Sequence, residues 1–234
     1  MTIDFNVTFE GSVGAGKSTT LKLAAEMLKL RMPYLRFGTI PEPVCLWQKF
    51  YGTNMLERSY TLPQRWGFQF QTLAMEMMVE NYTGGTPFQV NLYERLPTTS
   101  TSVFGAKFLE DGIFTPEEFQ ILRRLEKRLL SNPDVKEPQL VLYLRAEPAV
   151  VKARISKRNR DEEADIKVEM LEQLNRIYDM HISKLEGPTV ITVDANQELD
   201  VVVETCVQLI QREISLSNVG APSNMLNTPS KDDD

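Results

Sequence analysis

Gly11-Ser12-Val13-Gly14-Ala15-Gly16-Lys17-Ser18-Thr19 decides the fold. A glycine, four residues and then Gly-Lys-Ser is the pattern of a phosphate-binding loop. Glycines let backbone N–H groups turn inward and approach phosphate oxygens, because no Cβ stands in the way. Lys17 supplies a point charge for the β- and γ-phosphates, Ser18 supplies a hydroxyl suited to Mg²⁺, and a helix beginning there favours anions at its N-terminus. The flanks fit. Ile3, Phe5, Val7 and Phe9 alternate with Asp4, Asn6, Thr8 and Glu10, which predicts a strand. Leu21, Leu23, Ala24, Ala25, Met27, Leu28 and Leu30 give the apolar face of a helix. Strand, glycine-rich loop and helix is the context the motif requires.

The totals narrow the class. A chain of 234 residues supports one large domain or two small ones. A net charge of −6 argues against a general nucleic-acid binder, while leaving room for a local phosphate site. Cys45 and Cys206 are the only cysteines and lack metal-ligand spacing, which suits a reducing compartment. With His181 as the single histidine, a multi-histidine metal site is impossible and a Ser-His-Asp triad is disfavoured. A strand beginning almost at Met1 leaves no room for a targeting peptide, and no apolar run suits a membrane span. The expectation is a cytoplasmic protein, with the proviso that a removed targeting segment leaves no trace.

Further strands are predicted at Tyr34–Thr39, Phe88–Tyr93, Leu140–Leu144 and Val190–Val193. Helical pieces are expected within 46–62, then helices from Pro63 to about Tyr82, over 98–110, from Pro116 to about Leu130, from Pro148, over Ile166–Leu185 and over Leu199–Ser215. Thr115-Pro116-Glu117-Glu118 carries an N-cap threonine, a proline at the first helical position and a capping-box glutamate. Five strands separated by helices imply an α/β fold, a five-stranded parallel sheet with helices on both faces. Residues 1–217 form the expected domain, and 218–234 read as a disordered tail. Glu42, between Pro41 and Pro43, falls just past a strand's carboxyl end, where ligands of open α/β sheets bind.

Four clusters, together with the loop, resemble the deoxyribonucleoside kinase family, which includes deoxycytidine, deoxyguanosine and mitochondrial-type thymidine kinases. They are Glu42-Pro43-Val44 with Trp47; Tyr60 with Arg65-Trp66-Gly67-Phe68-Gln69-Phe70-Gln71-Thr72; Glu94-Arg95; and Arg154, Arg158, Arg160 with Glu162-Glu163. The resemblance implies a P-loop kinase that uses ATP and Mg²⁺ to phosphorylate a deoxynucleoside 5′-hydroxyl. It makes Glu42 the base that takes the hydroxyl proton and Arg95 the residue that holds Glu42 and the 5′-oxygen. Ser18 and, through water, Glu94 would serve the metal. Trp47, Leu56, Tyr60, Phe70, Gln71 and Phe104 would line the nucleoside pocket, with Tyr60 and Glu163 at the 3′-hydroxyl. Arg154, Arg158 and Arg160 would form a lid (about 154–165) over the transferring phosphate. Asp194-Ala195-Asn196-Gln197 follows the last strand, where the family closes over adenine. A homodimer and feedback inhibition are also implied. Leu96-Pro97 departs from the family's serine after Glu-Arg and is similar to the Asp-Arg-His-Pro of herpesvirus thymidine kinases.

Gln71 offers one acceptor and one donor group, so by flipping it serves a thymine or a cytosine edge without choosing. Deoxycytidine- and purine-preferring members carry an Arg seven residues after this Gln and an Asp five after the Glu-Arg pair; here those places hold Met78 and Ser100. With Ala74, they make an uncharged wall with room for a 5-methyl group, which points to thymidine, with deoxycytidine or deoxyuridine as further substrates. Two alternatives remain open: a thymidylate-type monophosphate kinase, which would want a basic residue near position 42, and a non-catalytic nucleotide-binding member, which would show decay at the catalytic positions.

Overall fold

The computed structural model describes residues 4–163 and 166–217. The tail, Ile3 and two residues of the expected lid, Ala164 and Asp165, lie outside them. Among the described residues one sheet of five parallel strands forms: β1 (Phe5–Glu10), β2 (Phe37–Ile40), β3 (Val90–Glu94), β4 (Leu140–Arg145) and β5 (Thr189–Asp194), in the order β2-β3-β1-β4-β5. Parallel neighbours need long crossovers, and helices supply them: α1 (Lys17–Arg31), α2 (Val44–Gln48), α3 (Met55–Thr61), α4 (Pro63–Thr83), α5 (Ala106–Glu110), α6 (Pro116–Leu130), α7 (Pro148–Arg158) and α8 (Val168–Ile182), with α9 (Leu199–Leu216) following the last strand. None of the described helices is long and apolar enough to cross a membrane.

The alternation in β1 marks two different buried faces. Phe5, Val7 and Phe9 enter the main core. Asn6, Thr8 and Glu10 are buried too, each with partners. Asn6 accepts from Asn91 at 3.1 Å, Thr8 and the Tyr82 phenol are 2.7 Å apart, and Glu10 accepts from Leu96 N–H and the Thr99 hydroxyl, both at 2.5 Å. A buried polar group must be hydrogen-bonded, and this central strand meets that requirement along one whole face.

Several boundaries shift for local reasons. β2 starts at Phe37 because the chain leaving α1 first makes a turn, with Leu35 N–H donating to the Met32 carbonyl at 3.0 Å. β3 runs Val90–Glu94; Phe88 lies outside it, its ring against Gly38, where a Cβ would stand 2.1 Å from the ring. α8 starts at Val168, and the preceding Ile166 carbonyl accepts from Lys152 Nζ at 2.5 Å. The capping box forms as read: Thr115 Oγ1 accepts from Glu118 N–H at 3.1 Å, and the Glu118 carboxylate accepts from Thr115 N–H at 2.9 Å. The 98–110 helix is not uniform. Ser100–Gly105 is π-helical and only Ala106–Glu110 is α-helical. Apolar spacing cannot distinguish the two, and π segments are frequent at functional sites.

The register sets the site. Phe9 pairs with Glu94 and Ile40 with Tyr93. The carboxyl ends of β1, β2 and β3 therefore lie level, and the loops leaving them bring the glycine-rich loop, Glu42 and Glu94-Arg95 to one edge of the sheet.

Candidate active site

The loop takes the shape its glycines permit. Gly11, Gly14 and Gly16 have φ of 144°, 79° and 97°, and a Cβ on Gly11 would stand 2.5 Å from the Leu144 carbonyl oxygen. Side chains rarely tolerate such conformations. Gly16 caps α1, so the helix N-terminus faces the loop's hollow. Lys17 is buried there, and its Nζ donates to the Gly11 and Ser12 carbonyls at 3.0 Å each. Burial, and then the Arg95 charge, lower its pKa to about 8. The Ser18 hydroxyl donates to Glu94 Oε1 at 2.6 Å.

Glu42 and Arg95 meet as anticipated. Arg95 Nε donates to Glu42 Oε1 at 2.5 Å, and both are largely buried. Burial works against the Arg95 charge, but Glu42, with Tyr178 and Glu10, outweighs it and holds the guanidinium above its ordinary value.

A cavity of about 380 Å³ opens between the loop and α4, and Lys17, Ser18, Glu42, Glu94 and Arg95 stand on its wall. The expected nucleoside residues all line it: Trp47, Leu56, Tyr60, Phe70, Gln71, Ala74, Met78, Ser100, Phe104 and Glu163. Trp47 and Phe70 pack edge to face, 5.4 Å between centroids and 84° between planes. Gln71 is only 3% exposed, and its amide makes no side-chain hydrogen bond among the described residues, so donor and acceptor are free for a ligand. Burial, and then the Glu163 carboxylate, hold the Tyr60 phenol above its ordinary value, so it is protonated and able to donate at neutral pH.

The arginines expected in a lid divide. Asn159 ends α7 in the left-handed conformation, φ 51°, and turns the chain back. Arg158 and Arg160 then both reach Glu163, Arg160 Nη1 at 2.9 Å from Oε1 and Arg158 Nη2 on Oε2. Glu162 accepts from Gln48 and Asn54 at 2.9 Å each, tying the Asp161–Glu163 turn to the segment around α2 and α3. Arg154 does not join them. Its Nη1 donates to the Ala195 carbonyl at 2.8 Å and its Nη2 to the Gln197 carbonyl at 3.4 Å. It lines a second cavity of about 420 Å³, with Gly14, Ala15, Gly16, Thr19, Thr20, Lys157, Arg158, Ala195, Leu199 and Val202. The spacing of Arg154 and Arg158 puts them on one helix face, but backbone carbonyls after β5 capture the first.

The cavity also takes residues outside the expected set. Val44, Ser59, Pro63, Lys107, Phe108, Ile113 and Met170 line it. Lys107, buried and paired with Asp111 one helical turn on, follows Phe104 by three positions, and that spacing is the signal that could have placed it. Met170 comes from α8, and no local pattern marks it. Cys45 is exposed and outside the wall, and His181 is buried away from it. Leu96, the departure from the family pattern, is buried in a cluster with Tyr82 and Tyr93, outside the cavity wall.

Comparison with known proteins agrees. The deoxynucleoside kinase family model matches residues 7–216. Protein 029R of Invertebrate iridescent virus 3 is 30% identical over 213 residues, covering 88% of this chain and 96% of its own. Human mitochondrial thymidine kinase 2 is 25% identical, covering 91% and 78% respectively. Human deoxycytidine kinase is 24% identical, covering 89% and 90%. The chain belongs to the deoxynucleoside kinase family, as a divergent member. It is a P-loop transferase with a deoxynucleoside as acceptor and ATP as phosphate donor.

Proposed function

We propose that this deoxynucleoside kinase prefers thymidine and also accepts deoxyuridine or deoxycytidine. The carrying observation is the uncharged wall of Ala74, Met78 and Ser100 beside the unpartnered amide of Gln71. Relatives are named for thymidine and for deoxycytidine alike, so the wall bears the argument. Catalytic efficiency on the four natural deoxynucleosides tests it. Thymidine should lead, both purines should trail by about tenfold or more, as a mismatched pocket discriminates, and a leading purine overturns the reading.

The contacts support the following chemistry. The 5′-hydroxyl must lose its proton as it becomes a phosphate ester, and the Glu42 carboxylate is the acceptor, oriented by Arg95. Lys17 and the loop N–H groups hold the donor phosphates. Arg158 and Arg160 converge over the transferring group, whose charge is spread over several oxygens. Tyr60 and Glu163 hold the sugar. The adjacent Ser18 hydroxyl and Glu94 carboxylate are hard oxygen donors that fit Mg²⁺, which commonly completes its shell with phosphate and water. Bound there, the ion would neutralise phosphate charge. Arg154 belongs in this reading to the second cavity, whose wall of Ala195, Leu199 and Val202 would receive the donor base. The homodimer implied by the resemblance completes the proposal.

A pH consequence follows. Lys17 titrates near 8 in the free enzyme, so its charge fades as pH rises through that value. kcat/KM for ATP, which reports the free enzyme, should fall above pH 8. kcat at saturating ATP should fall less, since bound phosphates favour the charged lysine. A flat kcat/KM from pH 7 to about 9.5 removes Lys17 as the titrating group.

A further inference from the structure

Arg95 is a non-glycine residue at φ 75°. Such a conformation persists only where the surroundings over-determine it. Here they do. Its N–H donates to the Phe9 carbonyl at 3.0 Å, its carbonyl accepts from the Tyr82 phenol at 3.1 Å, and the next N–H, of Leu96, donates to Glu10 at 2.5 Å. Glu10 is fully buried and also accepts from the Thr99 hydroxyl at 2.5 Å and the Gly11 N–H at 3.2 Å. One carboxyl group thus joins the first glycine of the loop, the Arg95-Leu96 turn and the residue before the π-helical segment.

The side chain is held as closely. Besides Nε on Glu42, Nη1 donates to the Gly11 carbonyl at 3.3 Å and to the Tyr178 phenol oxygen, and the guanidinium carbon lies 5.2 Å from the centre of the Phe104 ring. A guanidinium has five N–H donors in a fixed fork. These contacts occupy Nε and Nη1, and Nη2 is left with no protein partner among the described residues. Tyr178 is fully buried on α8, its ring stacked on Tyr143 at 5.9 Å between centroids.

We propose that Tyr178 and Glu10 are positioning residues for phosphoryl transfer: Glu10 fixes the Arg95 backbone, Tyr178 with the Gly11 carbonyl fixes Nη1, and the Nη2 donors are thereby presented to the acceptor oxygen and the transferring phosphate. This rests on the reading that Arg95 acts in the transfer. The contact crosses from the turn just past β3 to α8, so a helix far along the chain sets the angle of an arginine at the sheet's carboxyl edge.

The test compares Tyr178→Phe, Glu10→Gln and Arg95→Lys in steady-state kinetics with thymidine, with nucleoside Kd and Tm measured on each. Tyr178→Phe removes the acceptor oxygen and keeps the stacked ring. It should lower kcat by about tenfold or more, as a misplaced transition-state contact does, with nucleoside Kd unchanged to within about twofold. Glu10→Gln keeps one acceptor of two and should show the same split. Kd weakening in step with kcat, or a fall in Tm with kcat intact, overturns the proposal, because either marks a merely structural role. Wild-type kcat in Arg95→Lys instead removes the underlying role of Arg95, whose planar fork an ammonium cannot reproduce.

Discussion

Glu42→Gln should lower kcat by about 10²- to 10⁴-fold while the nucleoside still binds, the range over which a positioned general base contributes. The glutamine keeps the shape and an oxygen that can accept from Arg95 Nε, but it cannot take the hydroxyl proton. Arg95 keeps its place through the Gly11 carbonyl, Tyr178 and the backbone bonds to Phe9 and Glu10, so the site should not collapse. Tight nucleoside binding with single-turnover chemistry nearly abolished is the expected signature. Near wild-type turnover would transfer the base to another group and leave Glu42 as an anchor for Arg95.

Lys17→Met should nearly abolish transfer, by about 10³-fold or more, since a charge aimed at the developing phosphate is worth most in a site shielded from water. Its effect on stability should have the opposite sign. The buried ammonium is held by two backbone carbonyls, and its surroundings lower its pKa from 10.5 to about 8. At pH 7 the folded protein carries a charge that its interior disfavours, so Tm should be unchanged or higher in the variant. Linkage gives a second reading. Between pH 8 and 10.5 an unfolded lysine still binds a proton that the folded one has released, so this residue makes wild-type stability rise with pH across that window. The methionine variant should lack that contribution. A variant destabilised at pH 7 would mean that the bonds to Gly11 and Ser12 outweigh burial.

How much could be read beforehand depends on the range of the interactions involved. The loop, the capping box at Thr115 and the strand ends carrying Glu42 and Glu94-Arg95 are local patterns, and each appears as the sequence specifies. The twelve residues expected at the nucleoside line one cavity. What escaped is long-range. Arg154 is captured by carbonyls 41 and 43 residues away. Glu10 is bonded at Thr99, 89 residues on, so the polar positions of β1, which in isolation suggest a solvent-facing side, are buried. The π-helical turn shares its apolar spacing with an α-helix, so its pitch left no trace in the sequence. Met170 reaches the cavity only because α8 packs against α7 and the π-helical segment.

The sheet order has a consequence for how such an enzyme can diversify. On the proposed reading, the groups that handle phosphate and proton sit on turns at strand ends, at the start of α1 and at the end of α7. The groups proposed to face the base, Gln71, Ala74, Met78, Ser100 and Phe104, sit on the two long excursions between β2 and β3 and between β3 and β4. The proposed donor chemistry and acceptor choice thus rest on different elements of one scaffold, joined where Phe104 lies over Arg95 and Glu10 bonds Thr99. On the proposed reading, replacements along α4 should retune which deoxynucleoside enters, whereas those in the π-helical turn also reach Arg95, through Phe104 and Thr99.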